Sequence, residues 1–476
     1  MQPWVLDETK SADFGDERLD RRYSLLLDRL GDKPSLSIPA ACGGTSETEA
    51  AYRFFDNERV SADLVLRPHR DATLDRIRTQ AVVLIAQDTT ELDLTRRQEK
   101  VGGPLNDESR WGLFAHPHLA LTPQRVPLGV IGATIWSRNA EDFARSAAEK
   151  RRRRKASPIE QKESYRWVEG YRHACAVAEG VPTTRVVSIS DSEGDIYECF
   201  VEGFPAEGRK AEWIVRAAQD RALSGGEGEL RQSLSSGPAL ESRTIAVSAR
   251  RASTGNGRKR NRARAARQAT VSVRAMAVTL RPPHRPGVQL PEVTVNAVLV
   301  REDHPPAGEE PIEWLLLTSL PIAAITEVRT VIEYYCTRWE IEVYFRVLKG
   351  GCRVEDLQLE TTERFEACLA MYMIVAWRVL YVLMVGRAYP EVRCDRVLSE
   401  AEWKSVYQIV TNRPLPAQPP TLGEILPLVA QLGGYLGRKN DGPPGPKTLW
   451  IGLQRMRDFA IAWTRFGPPP TTAKDV

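Results

Sequence analysis

The chain has 476 residues, too many for one ordinary domain, and its 42% hydrophobic and 27% charged content is that of a soluble globular protein with a sizeable core. Its seven cysteines are scattered, odd in number and without a CxxC pair, which argues against a disulfide framework and a zinc finger. The formal net charge is only +4 and singles out no partner, but its placement does: Arg151 to Lys155 reads RRRRK, and residues 250–267 hold seven arginines and one lysine with no acid. Such runs are either nucleic-acid patches or solvated loops, and two in one chain favour nucleic acid.

In chain order, the start shows no basic segment followed by an apolar stretch, so no signal peptide is expected. Residues 12–75 read as helices with short polar breaks and carry the basic cluster Arg18, Arg21 and Arg22, the form of a small DNA-binding module or of a plain helical cap. Ala81 to Ala86 is a continuous apolar run, as in a strand buried on both faces. Phe114–Leu121 and Val126–Ile135 read as two further strands around a turn at 122–125, Ser164–Ala178 as a helix and Arg185–Ser190 as a strand. This is an α/β pattern. Residues 205–325 are β-rich and irregular, read as an inserted β subdomain at about 220–310. Thr326–Gly350 and Thr362–Arg387 read as helices, and a proline-bounded helical region follows. The most apolar stretch, Ala367–Gly386, has Arg378 at its centre, which fits a buried core helix with a paired arginine better than a membrane span.

Three acids are candidates for chemistry. Asp88 follows the first buried strand by two residues, and Asp191 stands directly after RVVSIS. Functional groups cluster beyond the carboxyl ends of strands in α/β sheets, although an aspartate there can also simply cap the next turn. On a continuous helix over 334–350, Tyr335, Arg338, Glu342 and Lys349 fall on one face within roughly 60°. That stripe is a poor core face; it is either a binding face or a solvated one with an Arg338–Glu342 ion pair.

The spacing Tyr-x2-Arg-x3-Glu-x6-Lys resembles the signature of the insertion sequence four family of DDE transposases. GDERLDRR at 15–22, AAYRFFDN at 50–57, QDTTELDL at 87–94, KES at 162–164 and EWLLLTS at 313–319 have similar counterparts there in the same order. The resemblance implies an RNase H-like catalytic core (residues 76–365) interrupted by the β-rich insertion, a helical N-terminal module (1–75) that recognises the transposon end, and a helical C-terminal region (366–476) used for dimerisation. It implies cut-and-paste transposition: cleavage through a hairpin intermediate, then joining of the 3′ ends to target DNA by a homodimeric synaptic complex. Asp88, Asp191 and Glu342 would be the catalytic acids and ligands of two Mg²⁺ ions, for which Mn²⁺ can substitute; hard oxygen donors suit that cation and in-line displacement at phosphorus. Tyr335, Arg338 and Lys349 would contact phosphates of the transposon end, and Trp314 would stack on a displaced base, its other reading being a core tryptophan. Arg18 and Arg22 would read the end sequence, and Arg258, Lys259 and Arg260 would grip backbone phosphates. Where the family often has Asp-Arg-Glu-Ala-Asp, this chain has Asp191-Ser192-Glu193-Gly194-Asp195; the missing arginine contact is lost or supplied elsewhere, with Arg216 the candidate. A bacterial cytoplasmic, nucleoid-associated location without membrane contact is expected. Two further readings are a catalytically silent DNA-binding regulator derived from a transposase, against which the intact acids count, and a nuclease without strand transfer, against which the end-binding module and dimerising region count.

Overall fold

The computed structural model describes residues 1–95, 101–107, 109–143, 146–203, 210–226, 228–250, 252, 263–439 and 441–467. The chain divides into two compact units, one of residues 1–150 with 339–476 and one of residues 151–338.

The first unit opens with α1 (Pro3–Thr9), α2 (Glu17–Asp32), α3 (Ile38–Cys42), α4 (Thr45–Phe55) and α5 (Ala62–Arg78). Asp16 starts α2 by accepting the Arg18 N–H at 2.9 Å, satisfying a helix donor that would otherwise lack a partner. The rings of Phe14, Tyr23 and Phe54 close the core of this helical cluster. Strands β1 (Val82–Gln87), β2 (Thr90–Asp93), β3 (Gly103–Pro104), β4 (Trp111–Leu121) and β5 (Pro127–Trp136) follow, then α6 (Ala140–Phe143). The β4–β5 hairpin falls where expected, with Arg125 in the left-handed region at φ 68°. The short strands β2 and β3 were not expected. β1 and β2 both pair antiparallel with β4 in one register, Gln87 opposite His118 and Thr90 opposite Ala115. They are thus two halves of one strand, interrupted at Asp88 and Thr89.

Helix α7 (Ala147–Ala156) carries the RRRRK run, with Arg152 and Arg153 exposed. The second unit contains α8 (Tyr165–Gly180), β6 (Arg185–Ser190), α9 (Tyr197–Gly203), β7 (Glu212–Arg216), α10 (Leu230–Ser236), β8 (Glu241–Val247), β9 (Arg267–Leu280), β10 (Val293–Arg301), β11 (Glu313–Thr318) and α11 (Ile325–Thr337). Its strands lie in the order β6–β7–β11–β10–β9–β8; β6 and β7 are parallel and the others antiparallel. The fold is mixed α/β. The strands from the β-rich stretch do not form a separate sheet, because β11 pairs with both β7 and β10 and carries the ladder on. Arg258, Lys259 and Arg260 lie outside the described residues.

The chain then returns to the first unit with α12 (Trp339–Arg346), α13 (Thr362–Ala388), α14 (Glu400–Thr411), α15 (Leu422–Leu432) and α16 (Pro446–Phe466). By length and composition α13 could cross a membrane, yet 89% of its most apolar window is buried in the fold. Helices α2, α4, α5, α12, α15 and α16 and strand β5 pack around it. Arg378 at its centre donates to the Val397 carbonyl at 2.6 Å, so the cation has the partner that its position demanded.

Helix 326–350 is a correction. It is not continuous: α11 ends at Thr337, Arg338 forms a turn, α12 follows, and Val347–Gly351 is one π-helical turn. The indole of Trp450 on α16 lies against Gly350 and Gly351, and a methyl on Gly351 would sit 3.2 Å from it. A wider turn advances less than 100° per residue, so Lys349 loses the phase that one ideal helix assigned to it.

Candidate active site

In the second unit, Asp191 and Arg216 stand at the carboxyl ends of the parallel pair β6 and β7, where Ser190 lies opposite Val215. Asp191 is half-buried and accepts the Glu193 N–H at 2.8 Å, so it does cap the short turn Ser192–Gly194. The turn needs a glycine: a methyl on Gly194 would fall 2.4 Å from Ser190 Oγ and 3.1 Å from the Trp167 ring. Asp195, four residues on, is buried against Arg221, and its Oδ2 accepts from Ala218 N–H at 2.8 Å and Gln219 N–H at 3.1 Å.

Tyr335, near the end of α11, is 3% exposed and meets the Trp314 ring of β11 edge to face, with centroids 6.0 Å apart. Burial pushes its hydroxyl pKa up. Arg338, which hydrogen-bonds to it, and Arg216 pull it down, and the Asp191 charge raises it further. Five predicted residues, Asp191, Arg216, Trp314, Tyr335 and Arg338, are therefore gathered in this unit. Arg338 is only 6% exposed. Such burial of Tyr335 and Arg338 is not that of a solvated salt-bridge stripe. Arg216 stands at a strand end within electrostatic reach of Tyr335.

In the first unit, Asp88 sits at the interruption between β1 and β2, half-buried, its Oδ1 accepting the Thr89 N–H at 2.8 Å. Helix α12 is fixed by Tyr344, whose hydroxyl donates to the Met373 carbonyl at 3.0 Å, and by buried Glu340, 3.6 Å from Arg125. Burial raises the Glu340 carboxyl pKa and Arg125 lowers it. Glu342, two residues on, turns about 200° around the helix from that anchor and is half-buried. Lys349 lies 3.8 Å from Glu355, which also accepts the Asp93 N–H at 2.9 Å. Glu355 and Asp195 were missed by the sequence reading; each is one acid among many until its partners are known. Arg18 is exposed and paired with Asp16 at 3.0 Å, and Arg22 is half-buried.

The three acids divide between the units, Asp88 and Glu342 in one and Asp191 in the other. Among the described residues no three His, Cys, Asp or Glu side chains form a ready-made metal cage. The donor set is oxygen only, which suits a hard divalent cation. His116 and His118 are buried on β4, their rings 5.4 Å apart.

Comparison with known proteins gives three family matches in chain order. Residues 1–60 match the transposase DNA-binding family, residues 205–378 the transposase DDE domain, and residues 374–466 the transposase Tn5 dimerisation domain. The DDE match takes in Arg216, Trp314, Tyr335, Arg338, Glu342 and Lys349 and begins after Asp88 and Asp191. Among solved structures, a cryo-EM structure of the piggyBac transposase synaptic complex with hairpin DNA is similar, at 10% identity and a TM-score of 0.31, over 89% of this chain and 65% of that one. From the three family matches, in their order along one polypeptide, the chain belongs to the DDE transposases and is similar to the Tn5 transposase.

Proposed function

We propose that the protein is a cut-and-paste DNA transposase that binds the ends of its element, cleaves them and joins the freed 3′ ends to target DNA. The observation that carries this is the second-unit cluster: a strand-end aspartate, Asp191, and two arginines, Arg216 and Arg338, all within electrostatic reach of one buried tyrosine, Tyr335. A carboxylate can hold a cation there while neighbouring cations hold the phosphates around it. In this reading Asp88, Asp191 and Glu342 converge on two Mg²⁺ ions. When bound, such ions stabilise charge on attacking and leaving oxygens and lower the pKa of water. Arg338, Lys349 and Tyr335 orient the end duplex, and Trp314 receives an unstacked base as a hairpin forms.

The domains follow the same reading: residues 1–75 recognise the end, with Arg18 and Arg22 reading it; residues 76–365 form an RNase H-like core with a β-rich insertion at about 220–310; residues 366–476 hold the homodimer of the synaptic complex. Arg258, Lys259 and Arg260 bind backbone phosphate.

The test uses purified protein and duplexes carrying the inverted repeats that flank the gene. With Mg²⁺, wild type should nick and join them. Glu342→Gln keeps the side chain's shape and loses its charge, so it should bind the ends and cut nothing. Cutting by Glu342→Gln at near wild-type rate in Mg²⁺ would remove Glu342 from the site.

A further inference from the structure

Asp88 lies where a β-ladder lapses, and the structure holds that lapse from the other side of the sheet. The common register of β1 and β2 on β4 puts Asp88 opposite Pro117 and Thr89 opposite His116. Paired residues of an antiparallel ladder share a face, and successive residues alternate. Gln87, Thr89, His116 and His118 therefore share one face, and Asp88 projects from the opposite one.

His116 is fully buried and reaches the residues on both sides of Asp88: its Nδ1 is 2.9 Å from the Thr89 hydroxyl and its Nε2 is 3.4 Å from Gln87 Oε1. The amide oxygen can only accept, so Nε2 is the donor to Gln87, and Nδ1 and the Thr89 hydroxyl form the second contact. His118, also fully buried, meets the ring edge to face at 5.4 Å and restricts its rotation.

We propose that His116 is a positioning residue for Asp88: its contacts to Thr89 and Gln87 hold the chain on both sides of the aspartate and so fix the direction of the carboxylate. The inference rests on Asp88 being a cation ligand. Supporting contacts to metal ligands typically change cation affinity by about 10- to 100-fold when removed. His116→Leu keeps the volume and deletes both polar contacts. His116→Asn keeps a polar atom where Nδ1 reaches Thr89. Thr89→Val deletes the hydroxyl at a half-buried position, and it carries the test should His116→Leu not fold.

The experiment uses Fe²⁺ as the probe ion, with ascorbate and peroxide, on the full chain bound to DNA. Hydroxyl radicals cut a polypeptide beside a bound ion, and mass spectrometry sizes the fragments. Wild type should be cut near residue 88 and Asp88→Asn should not. His116→Leu should lower this cutting about tenfold at equal Fe²⁺, Thr89→Val less, and His116→Asn should recover most of it. No cutting near residue 88 in wild type, or undiminished cutting in Asp88→Asn, would remove Asp88 from the cation site. Cutting that depends on Asp88 but is unchanged in folded His116→Leu and Thr89→Val would overturn the role of His116 alone.

Discussion

Asp191 and Asp195 stand four residues apart in the loop after β6, and the fold treats them oppositely. Asp195 has no exposed side-chain surface; Arg221 and the Ala218 and Gln219 N–H groups occupy it, so the carboxylate closes the loop onto the chain after β7. Asp191 is half-buried, accepts the Glu193 N–H and, like Arg216 and Arg338, lies within electrostatic reach of Tyr335. A carboxylate saturated by its own protein has a structural role, whereas the proposed cation site requires one that is less fully occupied, at a strand end. Helix α1 repeats the first case: buried Glu8 is taken up by His69 and by Arg76, 2.6 Å away.

Neutralising each of the two aspartates in turn should separate their roles. Asp191→Asn should slow single-turnover cleavage about a thousandfold, equivalent to about 4 kcal/mol in the barrier, with an unchanged denaturation midpoint. Asp195→Asn leaves Arg221 buried without its counter-charge and should cost about 3–5 kcal/mol of stability, read as a fall in the urea midpoint. The reverse pattern would break the comparison.

A smaller effect sharpens it. Gly194→Ala forces a methyl against Ser190 and should cost about 1–3 kcal/mol, and Ser190→Gly in the same chain should recover most of that. An unaltered midpoint in Gly194→Ala would mean that the turn between the two acids yields freely.

The smallest effect concerns a carboxylate with neither fate. Glu366 on α13 is pushed up to about 7, by burial first and then by the neighbouring Glu363 charge. The folded state therefore keeps this proton at pH values where the unfolded chain has lost it. The group's contribution is fullest below about pH 4.5 and declines as pH rises to about 7. Glu366→Gln should flatten that part of the melting-temperature profile and raise the value at pH 8. A wild-type profile that rises over this range would contradict the assignment.

Periodicity and turn chemistry determined most elements. The apolar run at 81–86, the strand Arg185–Ser190, the hairpin around 122–125 and the buried α13 were legible because burial on both faces leaves a continuous apolar signal. Ordered motifs identified the family and named the three acids. The break at Arg338 and the π-helical turn at Val347–Gly351 were not legible: helical spacing assumes one phase, and the packing of Trp450 from α16, about a hundred residues away, against Gly350 and Gly351 cannot be read from it. Nor could the sequence show what occupies Asp195, single out Glu355, or find His116 behind Asp88. Those assignments depend on which distant group occupies each oxygen or nitrogen, and strand register and packing alone decide that.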